Sequence, residues 1–90
     1  MVYAFNRGED SPPRLGLSVG KRVGGAVERN RVKRVLREEF SRMQARLSPG
    51  VDYVIIARPG VAEYIEEQGS QALAQRLEEL TERATRGAAA

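Results

Sequence analysis

Within nine residues, Arg29, Arg31, Lys33, Arg34 and Arg37 gather five cations with the amide of Asn30 and no acid. Guanidinium groups bind phosphate oxygens through paired N–H donors and stack on the flat faces of bases, so such a run suits a polyanionic nucleic acid. Lys21 and Arg22 add two cations upstream, in the glycine-punctuated stretch Gly20-Lys21-Arg22-Val23-Gly24-Gly25. Other chemistries have less to draw on. The 90 residues contain no Cys and no His, which removes thiol nucleophiles, imidazole bases, disulfides and the usual zinc ligands. The acid pairs Glu66-Glu67 and Glu78-Glu79 are adjacent in sequence, diverge by about 100° on a helix, and read as surface solubility.

The net charge of +3 is unevenly distributed. From Arg14 to Arg46 there are ten cations against three acids, a local +7, and the remainder carries −4. Segregation of this kind produces a field that an even spread would not. No apolar run approaches the roughly 18 residues of a membrane span, and Met1 is not followed by the pattern of a signal peptide. The expectation is a soluble cytoplasmic protein with no membrane partner, folded as one small domain over residues 1–86 with a frayed tail at 87–90.

The elements that would carry these cations follow from periodicity. Val2-Tyr3-Ala4-Phe5 is short and β-prone, and Asn6 to Pro13 is a dense turn signal. Leu15, Leu17 and Val19 then alternate, so the two segments read as a β-hairpin. From Ala26 the period changes to about 3.6, and Val32, Leu36, Phe40, Met43 and Leu47 form one stripe of a helix. At 100° per residue from Val32, the stripe centres near about 40°, while Asn30, Lys33, Arg34 and Arg37 lie between about 100° and 200°. The basic face therefore turns away from the core. Arg29 falls on the apolar side by angle and is expected to project past the core from the first turn. Asp52 to Ala57 is the most apolar run and reads as the central strand. A weakly helical stretch from Ala62 to Gln68 follows, then Ser70 as N-cap of a last helix with Leu73, Leu77, Leu80 and Ala84 on one face.

The Gly20 to Gly25 loop is not a P-loop, because Ala26 and Val27 stand where Lys and Ser or Thr would be needed, and its glycine spacing is not the dinucleotide fingerprint. It reads either as a plain tight turn or as a basic loop that lets a phosphate approach the backbone. A solvated helix face would mix signs to form i,i+4 pairs, but the basic run meets only Glu28, Glu38 and Glu39 at its edges. Tyr3 and Phe5 share one face of the first strand. They serve either as core or as a platform for an unpaired base, with Phe5 expected to pack and Tyr3 to be presented.

The run from Arg14-Leu15-Gly16-Leu17-Ser18-Val19-Gly20-Lys21-Arg22-Val23-Gly24 through Arg29-Asn30-Arg31-Val32-Lys33-Arg34 to Phe40 closely resembles the signature of the protein subunit of bacterial ribonuclease P. Asp52 to Gly60 and the helix led by Ser70 fit the same family, so the resemblance covers nearly the whole chain. It implies an α+β fold: a small mixed sheet of about four strands packed with helices, containing a left-handed βαβ crossover that runs against the usual right-handed rule. It further implies a subunit of a ribonucleoprotein endonuclease that removes the 5′ leader from precursor tRNA. The catalytic site and its Mg²⁺ then belong to the large RNA subunit, with no catalytic side chain and no tightly held metal in the protein. Residue by residue, Lys21, Arg22, Arg29, Asn30, Arg31, Lys33, Arg34 and Arg37 match the positions that contact ribonuclease P RNA. Tyr3 and Ser18 match positions at the substrate leader.

Members of that family open with a further N-terminal helix whose aromatic side chains wall the leader cleft. Here Met1 leads directly into the first strand, so the expectation is either a truncated start or a shortened variant without that wall. The alternatives from other classes are a ribosomal-type structural RNA binder, a nucleoid DNA binder using the same helix, and a stand-alone nuclease, which the lack of His, Cys and a metal-ligand cluster disfavours.

Overall fold

The β-branched and aromatic run Val51–Ala57 forms β3, the middle strand of a mixed sheet in a computed structural model that describes residues 1–8 and 11–89. β1 (Val2–Asn6) pairs with β3 antiparallel, and β2 (Arg14–Val19) pairs with it parallel, giving the order β1-β3-β2. The expected hairpin is therefore not formed, because β3 lies between its two arms. β3 is the most apolar strand and offers both edges for pairing, and the connection from Arg7 to Pro13 is long enough to step across it. Among the described residues the sheet has three strands rather than four.

Three helices follow the chain: α1 (Ala26–Met43), α2 (Val61–Gln68) and α3 (Ser70–Ala89). α1 is the crossover between the parallel neighbours β2 and β3. Its stripe of Val32, Leu36, Phe40 and Met43 is buried as the period requires, while Leu47 lies beyond a 3₁₀ turn at Gln44–Arg46 and is half-buried. Val32, Leu36 and Met43 pack with Ile55, Ile65, Leu73 and Leu77 in the main core, and Leu15, Leu17 and Val19 close it from β2. The helices and the alternate residues Val51, Tyr53 and Ile55 of β3 thus share one side of the sheet.

Two polar side chains in this core find partners within it. Tyr53, fully buried, shares a 2.8 Å hydrogen bond between its hydroxyl and that of Thr85, and meets the Phe40 ring edge-on at 5.9 Å. Thr81, which the apolar reading of α3 passes over, is buried and donates back to the Leu77 carbonyl at 2.9 Å. Ser70 is the first residue of α3 rather than its cap; the Leu73 amide bonds the carbonyl of Gly69, whose φ of 85° few other residues adopt. The helix also runs on to Ala89, through most of what reads from sequence as a frayed tail.

Candidate nucleic-acid interface

The chain enters α1 through a 3₁₀ turn at Lys21–Val23, closed by the Val23 amide on the Gly20 carbonyl at 3.1 Å. That turn buries Val23 as an anchor and leaves Lys21 and Arg22, the two residues before it, exposed. Gly24 is required here, since a Cβ would stand 2.6 Å from the Glu28 carboxylate folded over the start of the helix. Glu28 lies in the first turn, where the helix dipole favours an acid.

Beyond that turn the outward arc of α1 presents Asn30, Arg34 and Arg37 exposed and Lys33 half-buried. Among the described residues, no acid forms an ion pair with Lys21, Arg22, Lys33, Arg34 or Arg37. The cations towards the far end of the helix differ. Arg42 is held by Glu39 at 2.9 Å and Arg46 by Glu78 of α3 at 2.6 Å. The unneutralised charge is therefore concentrated on the entry loop and the first two-thirds of α1.

Two residues of the basic run stand apart. Arg29 does not project past the core as expected; it is half-buried, and its Nε is enclosed without a hydrogen-bond partner. Its position on the apolar side of the helix, one turn before Val32, accounts for this. Arg31 donates from Nη1 to Glu66 Oε1 of α2 at 3.1 Å.

The second surface is the side of the sheet opposite the helices. Register places Tyr3 beside Val54 beside Gly16, and Phe5 beside Asp52 beside Arg14. Ser18 lies against Ile56, so Tyr3 and Ser18 flank the Val54 and Ile56 positions of β3 on one face. Tyr3 is 44% exposed and Phe5 56%, so both rings are presented, contrary to the expectation that Phe5 packs. The ring of Phe5 points to the same side as Tyr3, and no helix of the described residues is placed over that side. The aliphatic part of the platform, Val54 and Ile56, is hidden in the sequence because β3 is apolar at every position except Asp52 and shows no alternation.

Asp52 bounds this face. Arg14 Nε and Nη2 grip its two oxygens at 2.9 and 3.0 Å, and Arg7 Nη1 also donates to it. Arg7 further ties down the Ser11 hydroxyl and the Pro12 carbonyl, fixing the end of the connection just before β2. The hydrogen bond from Arg14, with that from Arg7, holds the Asp52 carboxyl down at about 2 despite opposing desolvation. Both partners lie far from Asp52 in sequence, and nothing in the local pattern announces them.

No helix of the described residues is long and apolar enough to cross a membrane. A family model described as Ribonuclease P matches residues 1–85. The ribonuclease P protein component of Enterococcus faecalis is 40% identical over 68 residues, covering 76% of this chain and 58% of that one. That of Geobacillus kaustophilus is 48% identical over 63 residues, covering 70% and 52%. The chain thus spans about half the length of these curated relatives. Among solved structures, the RNase P protein from Thermotoga maritima superposes with a TM-score of 0.81 at 33% identity, covering 91% of this chain and 74% of that one. The Staphylococcus aureus RNase P protein gives 0.68 at 32%, covering 89% and 74%.

Proposed function

Because the chain belongs to the ribonuclease P protein family, we propose that it is the RNA-binding protein subunit of a ribonuclease P holoenzyme. It docks a catalytic RNA with its basic loop and helix and assists removal of the 5′ leader from precursor tRNA. The observation that carries this reading is the set of cations without acid partners among the described residues, Lys21, Arg22, Lys33, Arg34 and Arg37, on the entry loop and the outer arc of α1. Each phosphate neutralised there releases counterions, so affinity for RNA comes with a steep salt dependence. Arg29 joins the docking surface at its margin, Arg31 marks the edge of that surface where Glu66 holds it, and Asn30 supplies an amide that can donate to phosphate or base.

The open sheet face takes the leader. A single strand laid across Tyr3, Val54, Ile56 and Ser18 would stack a base on the Tyr3 ring and offer polar groups to Ser18. Phe5 extends the same platform by one row. Hydrolysis is assigned to the RNA subunit with its Mg²⁺.

The test combines purified protein with a ribonuclease P RNA and precursor tRNA at low Mg²⁺. Cleavage should rise when the protein is added, and protein alone should not cut. No stimulation, together with tight binding to ribosomal RNA or duplex DNA, would overturn the reading in favour of a structural RNA or DNA binder.

A further inference from the structure

Arg31 lies at about 260° from Val32 around α1, outside the arc that runs from Lys33 to Arg34. On that flank it bonds Glu66 at 3.1 Å, and Glu28 and Glu63 line the same small hollow between α1 and α2. Three acidic residues therefore share one hollow with a single arginine, a formal charge of −2 for the four, beside a surface whose cations have no acid partners among the described residues. The Arg31 and Glu66 side chains are 53% and 64% exposed, so water screens the pair and it contributes little to stability. Its effect falls instead on whatever approaches. A phosphate following the arc meets cations, and one straying towards α2 meets like charge.

We infer that Glu63 and Glu66 are specificity-determining residues of RNA docking: Glu66 holds Arg31 to the α2 side, and the two carboxylates exclude a phosphate backbone from that flank. Only an RNA whose backbone keeps to the Lys33, Arg37 and Arg34 line and turns away at Arg31 is then accepted. This is selectivity by repulsion of wrong partners, and it leaves affinity for the right one nearly untouched. The inference rests on the docking reading above.

The test uses the full chain with Glu63→Gln and Glu66→Gln together, and Glu79→Gln with Glu82→Gln on α3 as a control of equal charge. Dissociation constants are measured at two salt concentrations for ribonuclease P RNA and for a plain RNA duplex, with circular dichroism to confirm the fold. The α2 variant should bind the duplex about tenfold more tightly, with a salt slope steeper by about one, and ribonuclease P RNA within about twofold of wild type. An unchanged ratio between the two RNAs, or an equal change in the α3 control, would overturn the inference. If the wild type shows no preference for ribonuclease P RNA over duplex, the docking reading itself fails, an outcome distinct from both.

Discussion

The outer arc of α1 and the open face of the sheet are both exposed, yet they are built on opposite electrostatic rules. On the arc, the cations stand without acid partners among the described residues, and Glu39 is buried and turned to Arg42. On the sheet, Asp52 is gripped by Arg7 and Arg14, and what remains open between them and the strand end is aromatic and aliphatic. The arc suits phosphates regardless of base. The sheet suits unpaired bases and adds little net charge. Division of labour of this kind separates salt-dependent affinity from stacking, so single substitutions should move one without the other.

The largest effect should come from the element that joins the two surfaces. Leu36 is 2% exposed and ties α1 to the sheet core, so Leu36→Ala should cost about 2–5 kcal/mol in denaturant unfolding and abolish both binding activities together. Retention of either activity in the unfolding range would show that the surfaces do not depend on one fold. Next, Tyr3→Ala should weaken leader-bearing precursor tRNA by about 1–3 kcal/mol, with the salt slope unaltered. Because Tyr3 is 44% exposed, thermal stability should hardly change, and equal affinities for substrate with and without leader in wild type would remove Tyr3 from the interface. Arg34→Ala should do the reverse, lowering the salt slope for the RNA subunit by about one while leaving the gain from a leader intact.

Those assignments were not equally legible in the sequence. Val32, Leu36, Phe40 and Met43 could be placed because burial of one helix face imposes its period on the residues that fill it. β3 could be placed at the centre because no other segment is as apolar. The pairing of β1 and β2 could not, since the choice of sheet neighbour depends on which edge is more favourable, not on either strand alone. Phe5 shows the same limit: alternation gives the side of a strand, and whether that side is covered is a tertiary fact. Ion pairs are harder still. Arg31 and Glu66 are 35 residues apart, and Arg7 and Asp52 45 apart, so the cations that are spent and the cations that are available look alike until the chain is folded.

Asp52 carries the smallest effect and the sharpest test of the contrast. Its carboxyl is held from 3.8 down to about 2, first by the hydrogen bond from Arg14 and also by Arg7. A folded-state value below the unfolded one means that the ionised group stabilises the fold above pH 3.8, and that this contribution is lost as pH falls from there through about 2. Urea midpoints recorded from neutral pH downwards should therefore drop for wild type across that window, and Asp52→Asn should start lower and drop less. The Arg14 side chain is 66% exposed, so solvent screens the interaction and the difference between the two profiles should be modest. The same substitution removes a negative charge from the open face. Leader binding by Asp52→Asn should then acquire a salt dependence that wild type lacks, making the sheet behave more like the arc. Superimposable salt curves would show that the two guanidiniums stay committed elsewhere, and that the apolar character of the sheet face does not depend on Asp52.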